Sequence, residues 1–145
     1  MPLEDFIPVE GQRRIAQAIT EAERMTSGEI CVHVTPHCLG ETLPQAEAVF
    51  NAKRLYRTRR RNAVLIYIAY KDRKLAILGD KGINDLVPNG FWDEAIGVLT
   101  HHLCRHSPVD GICRAVALIG DRLKNYFPAD REDINELSNE VSYDD

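Results

Sequence analysis

The succession of helical and strand periodicities along this chain, α-β-α-β-β-α-α, predicts an α/β protein. The expected form is a single domain with a small mixed β-sheet flanked by helices. Three observations carry this. Ala63 to Ala69 is an almost unbroken apolar run, the pattern of a central strand covered on both faces. Glu29 to Thr35 places Ile30, Val32 and Val34 on one face and Cys31 and His33 on the other, as a strand does. Trp92, Ala95, Ile96, Leu99 and Leu103 recur at helical spacing.

The remaining elements follow in order. Pro8 suits a first helical turn, Ile15, Ile19 and Ala22 give that helix its buried face, and Gly28 suits its stop. Thr42-Leu43-Pro44-Gln45 matches a capping box, opening a second helix through Ala46, Val49, Phe50 and Tyr56 with the basic run on its exposed face. After the central strand, Tyr70 to Arg73 is a polar turn and Lys74 to Leu78 returns as a hairpin partner. Ile83 to Val87 reads as a short helix, stopped by Pro88-Asn89-Gly90. Ser107-Pro108 ends the Trp92 helix, Asp110 caps the next, and Ile112, Val116, Ile119, Leu123 and Phe127 form its buried face.

Composition narrows the class. At 145 residues and 44% apolar, the chain is long enough for one core and too apolar for a disordered segment. Its longest strongly apolar run, Ala63 to Tyr70, falls well short of the roughly 20 residues of a membrane-spanning helix. The N-terminal Met-Pro-Leu-Glu-Asp-Phe has two acids and no basic region, which predicts no secretory signal and a cytoplasmic protein. Cys31, Cys38, Cys104 and Cys113 form no Cys-x-x-Cys pair and read as unbridged thiols.

The net charge of −4 is unevenly spread. From Ala129 onward seven acids face Arg131 alone, a balance of −6, which leaves the body at +2. The expected organisation is a domain over residues 1–128 and a mobile acidic tail over 129–145, lacking a core face. Lys53, Arg54, Arg57, Arg59, Arg60 and Arg61 crowd into nine residues. Two readings of the split stand: the tail masks this basic stretch, or it is a solvated appendage. The acidic overall balance disfavours nucleic acid as a partner.

Topology places candidate residues together. A helix between the first two strands is a crossover, so those strands run parallel, and the third turns back antiparallel. One end of the sheet then collects Ser27, Gly28, Glu29, Arg60, Arg61, Asn62, Gly79, Asp80 and Gly82, with Asp80 near Arg61 or Ser27.

Thr26-Ser27-Gly28-Glu29-Ile30, Arg61-Asn62-Ala63-Val64-Leu65-Ile66-Tyr67-Ile68 and Gly79-Asp80-Lys81-Gly82-Ile83 resemble the TPM-domain family. So do Phe91-Trp92-Asp93-Glu94, the last helix through Phe127-Pro128, and Asn135-Glu136-Leu137 through Glu140-Val141, which is similar to the end of short soluble bacterial members. The resemblance implies a compact α/β sandwich and a calcium-like divalent-metal site on acidic loop residues, falling here on Gly79, Asp80, Gly82 and Asp85. It also implies a metal-dependent acid phosphatase activity, attached to the plant branch, or assistance to membrane complexes through a partner. Many members carry an export signal and a membrane anchor; the residues here predict neither.

Beside that resemblance, Asp80 and Asp85, with Glu29 or Asp110, offer hard oxygen ligands for Ca²⁺ or Mg²⁺. Ser27, Arg60 and Arg61 form an anion-binding set for a phosphorylated or other anionic ligand. Asp80 also reads as an ordinary turn residue, Ser27 as a turn hydroxyl, and the arginines as a solvated face. His102, Cys104 and His106, like His33, His37 and Cys38, lack zinc spacing and read as structural or surface residues. No thiolate phosphatase loop, Asp-x-Asp pair or Walker loop is present. Three functions remain open: a metal-binding module acting through a protein partner, a metal-dependent phosphatase on phosphomonoesters, and an anion- or nucleic-acid-binding domain using the basic run.

Overall fold

Ile15, Ile19 and Ala22 lie one helical turn apart and are buried together along α2 (Val9–Glu23). The computed structural model describes residues 3–129 and 137–144. A one-turn α1 (Leu3–Phe6), not expected from the sequence, precedes α2. Gly11 lies against Val109, and Gly120 lies against Ala22. These contacts set α2 alongside α6 (Pro108–Leu123) with both helices running the same way. α5 (Asp93–Cys104) packs beside them, with Ala95 and Leu99 inward.

Four strands, β1 (Glu29–Thr35), β2 (Ala63–Ala69), β3 (Lys74–Gly79) and β4 (Ser142–Tyr143), form one sheet in the order β3-β2-β1-β4. β1 pairs parallel with β2, in register Glu29↔Ala63 through Thr35↔Ala69. β3 pairs antiparallel with β2. The small mixed sheet flanked by helices is therefore the one expected. Every residue of β2 is buried, because helices cover both faces. Ile30, Val32, Val34, Val64, Ile66 and Ile68 meet α2, α5 and α6 in the larger core. Cys31, Ala63, Leu65, Tyr67 and Ala69 face α3 (Thr42–Ala52) in the smaller one, with Ala46 and Phe50.

Several local expectations change. The Thr42 capping box does not form: α3 is capped at Glu41, with no side-chain cap bond, and Pro44 falls at the third position, where it has no N–H to be capped. The basic run is not on the helix face, because α3 ends at Ala52 and Arg54 turns left-handed at φ 55°. A 3-10 turn, Leu55–Arg57, follows, with Leu55 and Thr58 buried so that the arginines stand on a connection held against the core. The short helix sits slightly earlier than expected, as α4 (Lys81–Asn84). Ser107, not Asp110, caps α6.

The tail also departs from a segment without a core face. Leu137 is buried in the smaller core and Val141 in the larger, while β4 (Ser142–Tyr143) pairs parallel with β1. Two apolar residues four apart carry too little periodicity to be recognised alone. They find burial because β1 would otherwise be an open sheet edge. Residues 130–136 and 145 of the proposed tail lie outside the described residues. Among the described residues, no helix is long and apolar enough to cross a membrane.

Candidate functional site

Parallel pairing brings the starts of β1 and β2 and the end of β3 to one end of the sheet. There the Glu29 N–H donates to the Asn62 carbonyl at 3.3 Å, and the Asp80 N–H donates to the Ala63 carbonyl at 2.9 Å. Asp80 thus leaves the β2–β3 ladder in a fixed position and caps α4, its carboxylate accepting the Lys81 N–H at 2.7 Å.

Arg61 meets Asp80 in a two-pronged pair, Nε to Oδ2 at 2.7 Å and Nη2 to Oδ1 at 2.9 Å. The proximity expected from topology is therefore present. Asp80 is almost fully buried, whereas the Arg61 side chain is half exposed. The hydrogen bond to Asp80 is the main cause that raises the Arg61 pKa above its ordinary value. Arg61 has φ 52°, in the left-handed region, and its carbonyl accepts the Gly82 N–H at 2.9 Å. Gly82 is required here, since a methyl would sit 2.3 Å from the Arg60 carbonyl oxygen.

This pair forms one wall of an open cleft of about 550 Å³ between α3, β3 and α4. Glu47, Phe50 and Asn51 line it from α3, Tyr56 and Arg61 from the connection, and Gly79, Asp80, Lys81, Asn84 and Asp85 from the third segment. Glu47, Asn51 and Asn84 were not singled out in the sequence. Glu47 and Asn51 lie four apart on one helix face, but nothing in the sequence shows which sheet segment that face opposes.

The other candidates go elsewhere. Ser27 is buried, its Oγ accepting from Arg60 Nη1 at 3.2 Å and from Asn62 Nδ2 at 3.5 Å. It shares the sheet end but does not line the cleft. Glu29 is buried, with Oε1 accepting the Leu137 N–H at 3.0 Å. Asp110 pairs with Arg14 at 2.9 Å in the first turn of α6. The opposite end of that helix meets Gly28 through Leu123, roughly 20 Å along the axis at 1.5 Å per residue. Asp80 and Asp85 are thus brought together, and Glu29 and Asp110 join neither.

Among the described residues, no three His, Cys, Asp or Glu side chains are grouped so as to hold a metal ion. Both oxygens of Asp80 already serve Arg61 and the Lys81 amide. What the cleft offers is the exposed carboxylates of Glu47 and Asp85 with the amide oxygens of Asn51 and Asn84. That donor set suits a hard cation that keeps much of its water, and not a closed protein cage.

The sequence model of one family, the TPM domain, matches residues 3–122. Among solved structures, the chain is similar to the BA42 protein of the psychrophilic bacterium Bizionia argentinensis, solved by NMR. The two are 35% identical over 99% of each chain, with a TM-score of 0.92. Comparison with curated proteins returns no match. With the family pattern running from α1 almost to the end of α6, the chain belongs to the TPM-domain family.

Proposed function

We propose that this TPM domain is a binding module whose cleft holds a partly hydrated divalent cation, Ca²⁺ or Mg²⁺, through which it engages an anionic group on a partner. One observation carries the reading: two sequence segments far apart in the chain deliver Glu47 and Asn51, and Asp80, Asn84 and Asp85, to one cleft. Glu47 and Asp85 would hold the cation, with the Asn51 and Asn84 oxygens beside them. Asp80 acts differently. By anchoring Arg61 and capping α4, it sets the wall against which the ligand lies. A bound cation would supply positive charge for an anionic oxygen, and Lys81 would add to it.

The second reading is a metal-dependent phosphatase, favoured by the family resemblance. A phospho-enzyme on serine, threonine, cysteine or histidine has no nucleophile in the cleft lining among the described residues, which leaves the carboxylates of Glu47 and Asp85 or a cation-held water as the attacking group for this reading. The test titrates Ca²⁺ and Mg²⁺ into the labelled protein, with Zn²⁺ as control. Expected are saturable amide shifts at residues 79–85 and at Glu47, lost in Glu47→Gln/Asp85→Asn. Zinc-selective shifts at His102, Cys104 and His106 would overturn the reading. Turnover of a phosphomonoester that needs the cation and disappears in the same double variant would move the assignment to the phosphatase.

A further inference from the structure

Burying a carboxylate or an imidazole is costly unless it is bonded, and β1 buries one of each on one face, Glu29 and His33. Both bond to the C-terminal segment. Glu29 Oε1 accepts the Leu137 N–H, while His33 Nδ1 lies 2.8 Å from Ser142 Oγ and its Nε2 lies 2.9 Å from Asp144 Oδ2. A carboxylate can only accept, so Nε2 carries a hydrogen, while the single hydrogen of the Ser142 hydroxyl has two acceptors in reach, His33 Nδ1 and the Val32 carbonyl at 3.3 Å. The Asp144 N–H then donates to the Val34 carbonyl at 3.0 Å.

These contacts make a recognition pattern. Leu137 enters the core on the α3 face and Val141 the core on the opposite face, so the segment straddles the sheet edge. The polar contacts fall at Leu137 and again at Ser142 and Asp144, one set toward each end of β1. Lys53 and Arg57 stand across a groove from Ser138 and Glu140, which favours an acidic occupant. The grip is small. Only two residues pair in the ladder, and the Asp144 side chain is 63% exposed.

We propose that the β1 edge is a peptide-recognition groove, filled here by the chain's own residues 137–144 and open by exchange to an extended acidic segment of a partner protein. That segment would carry apolar residues at its first and fifth positions, a hydroxyl at the sixth and a carboxylate at the eighth. Main-chain pairing supplies affinity, and Glu29 and His33 supply register and choice.

The experiment uses the full chain, isotope-labelled, as wild type and as Ser142→Ala/Asp144→Asn, with an unlabelled peptide of residues 137–145. The peptide should drive the labelled signals of residues 137–144 to random-coil positions, saturably. Its apparent affinity should be about tenfold tighter for the double variant, whose own segment has lost two polar contacts. Peptide binding should also return the His33 ring signals of the variant to their wild-type positions, which a merely loosened terminus would not do. The inference is overturned if millimolar peptide leaves those segment signals in place in both chains. It is equally overturned if a scrambled peptide of the same composition displaces them as well.

Discussion

Replacing Gly82 with alanine tests the packing that builds the cleft wall. A methyl there would lie 2.3 Å from the Arg60 carbonyl oxygen and 2.6 Å from that of Arg61. Carbon and oxygen tolerate about 3.3 Å, so α4 must retreat by about 1 Å. Both obstacles are backbone and cannot rotate away. The retreat breaks the Gly82 N–H bond to the Arg61 carbonyl, which costs about 1–3 kcal/mol where the groups are left unsatisfied. It also drags fully buried Ile83, adding about 1–3 kcal/mol of packing strain. The expected loss is therefore about 2–6 kcal/mol, read as a fall in the urea midpoint with an unchanged slope. Gly97 is the contrast. It is exposed within α5, with nothing within 4 Å of an added methyl, so Gly97→Ala should gain about 0.5–1 kcal/mol. A loss below about 1 kcal/mol at Gly82, or the same sign at both glycines, would refute the argument.

Acidification should lower the stability of the fold through buried His33. Burial lowers the His33 pKa from its ordinary 6.5, more than the Asp144 bond and charge raise it, and Lys53 lowers it further. The folded state then binds fewer protons than the unfolded one, so this stability is present above 6.5 and is lost as the pH falls from there through the folded value. The urea midpoint should fall across that window, and His33→Gln should remove this part of the fall. Leu99→Ala, at a fully buried site between α5 and the sheet, should cost about 2–5 kcal/mol in the same urea assay. Asp80→Asn should release Arg61 and weaken the α4 cap, seen as faster amide exchange at Lys81 to Asn84 with β2 unaffected.

Strand identity was legible in the chain because it rests on local periodicity. Ala63 to Ala69 read best as a strand covered on two faces, and the helix between Thr35 and Ala63 obliged β1 and β2 to run parallel. With the third strand turning back on β2 as an antiparallel hairpin, the meeting of Arg61 with Asp80 followed. Tertiary structure decided what periodicity does not encode. Glu47 and Asn51 became part of the cleft through the rotation of α3 against β3, which is set by packing of Ala46 and Phe50 and not by the helix sequence alone. Glu29, a natural metal ligand by type, was claimed by the Leu137 amide more than a hundred residues away. His33 and the acidic terminus likewise acquired meaning only together. A buried ionisable side chain is tolerable only where a distant partner completes it, and that partner is chosen by the fold.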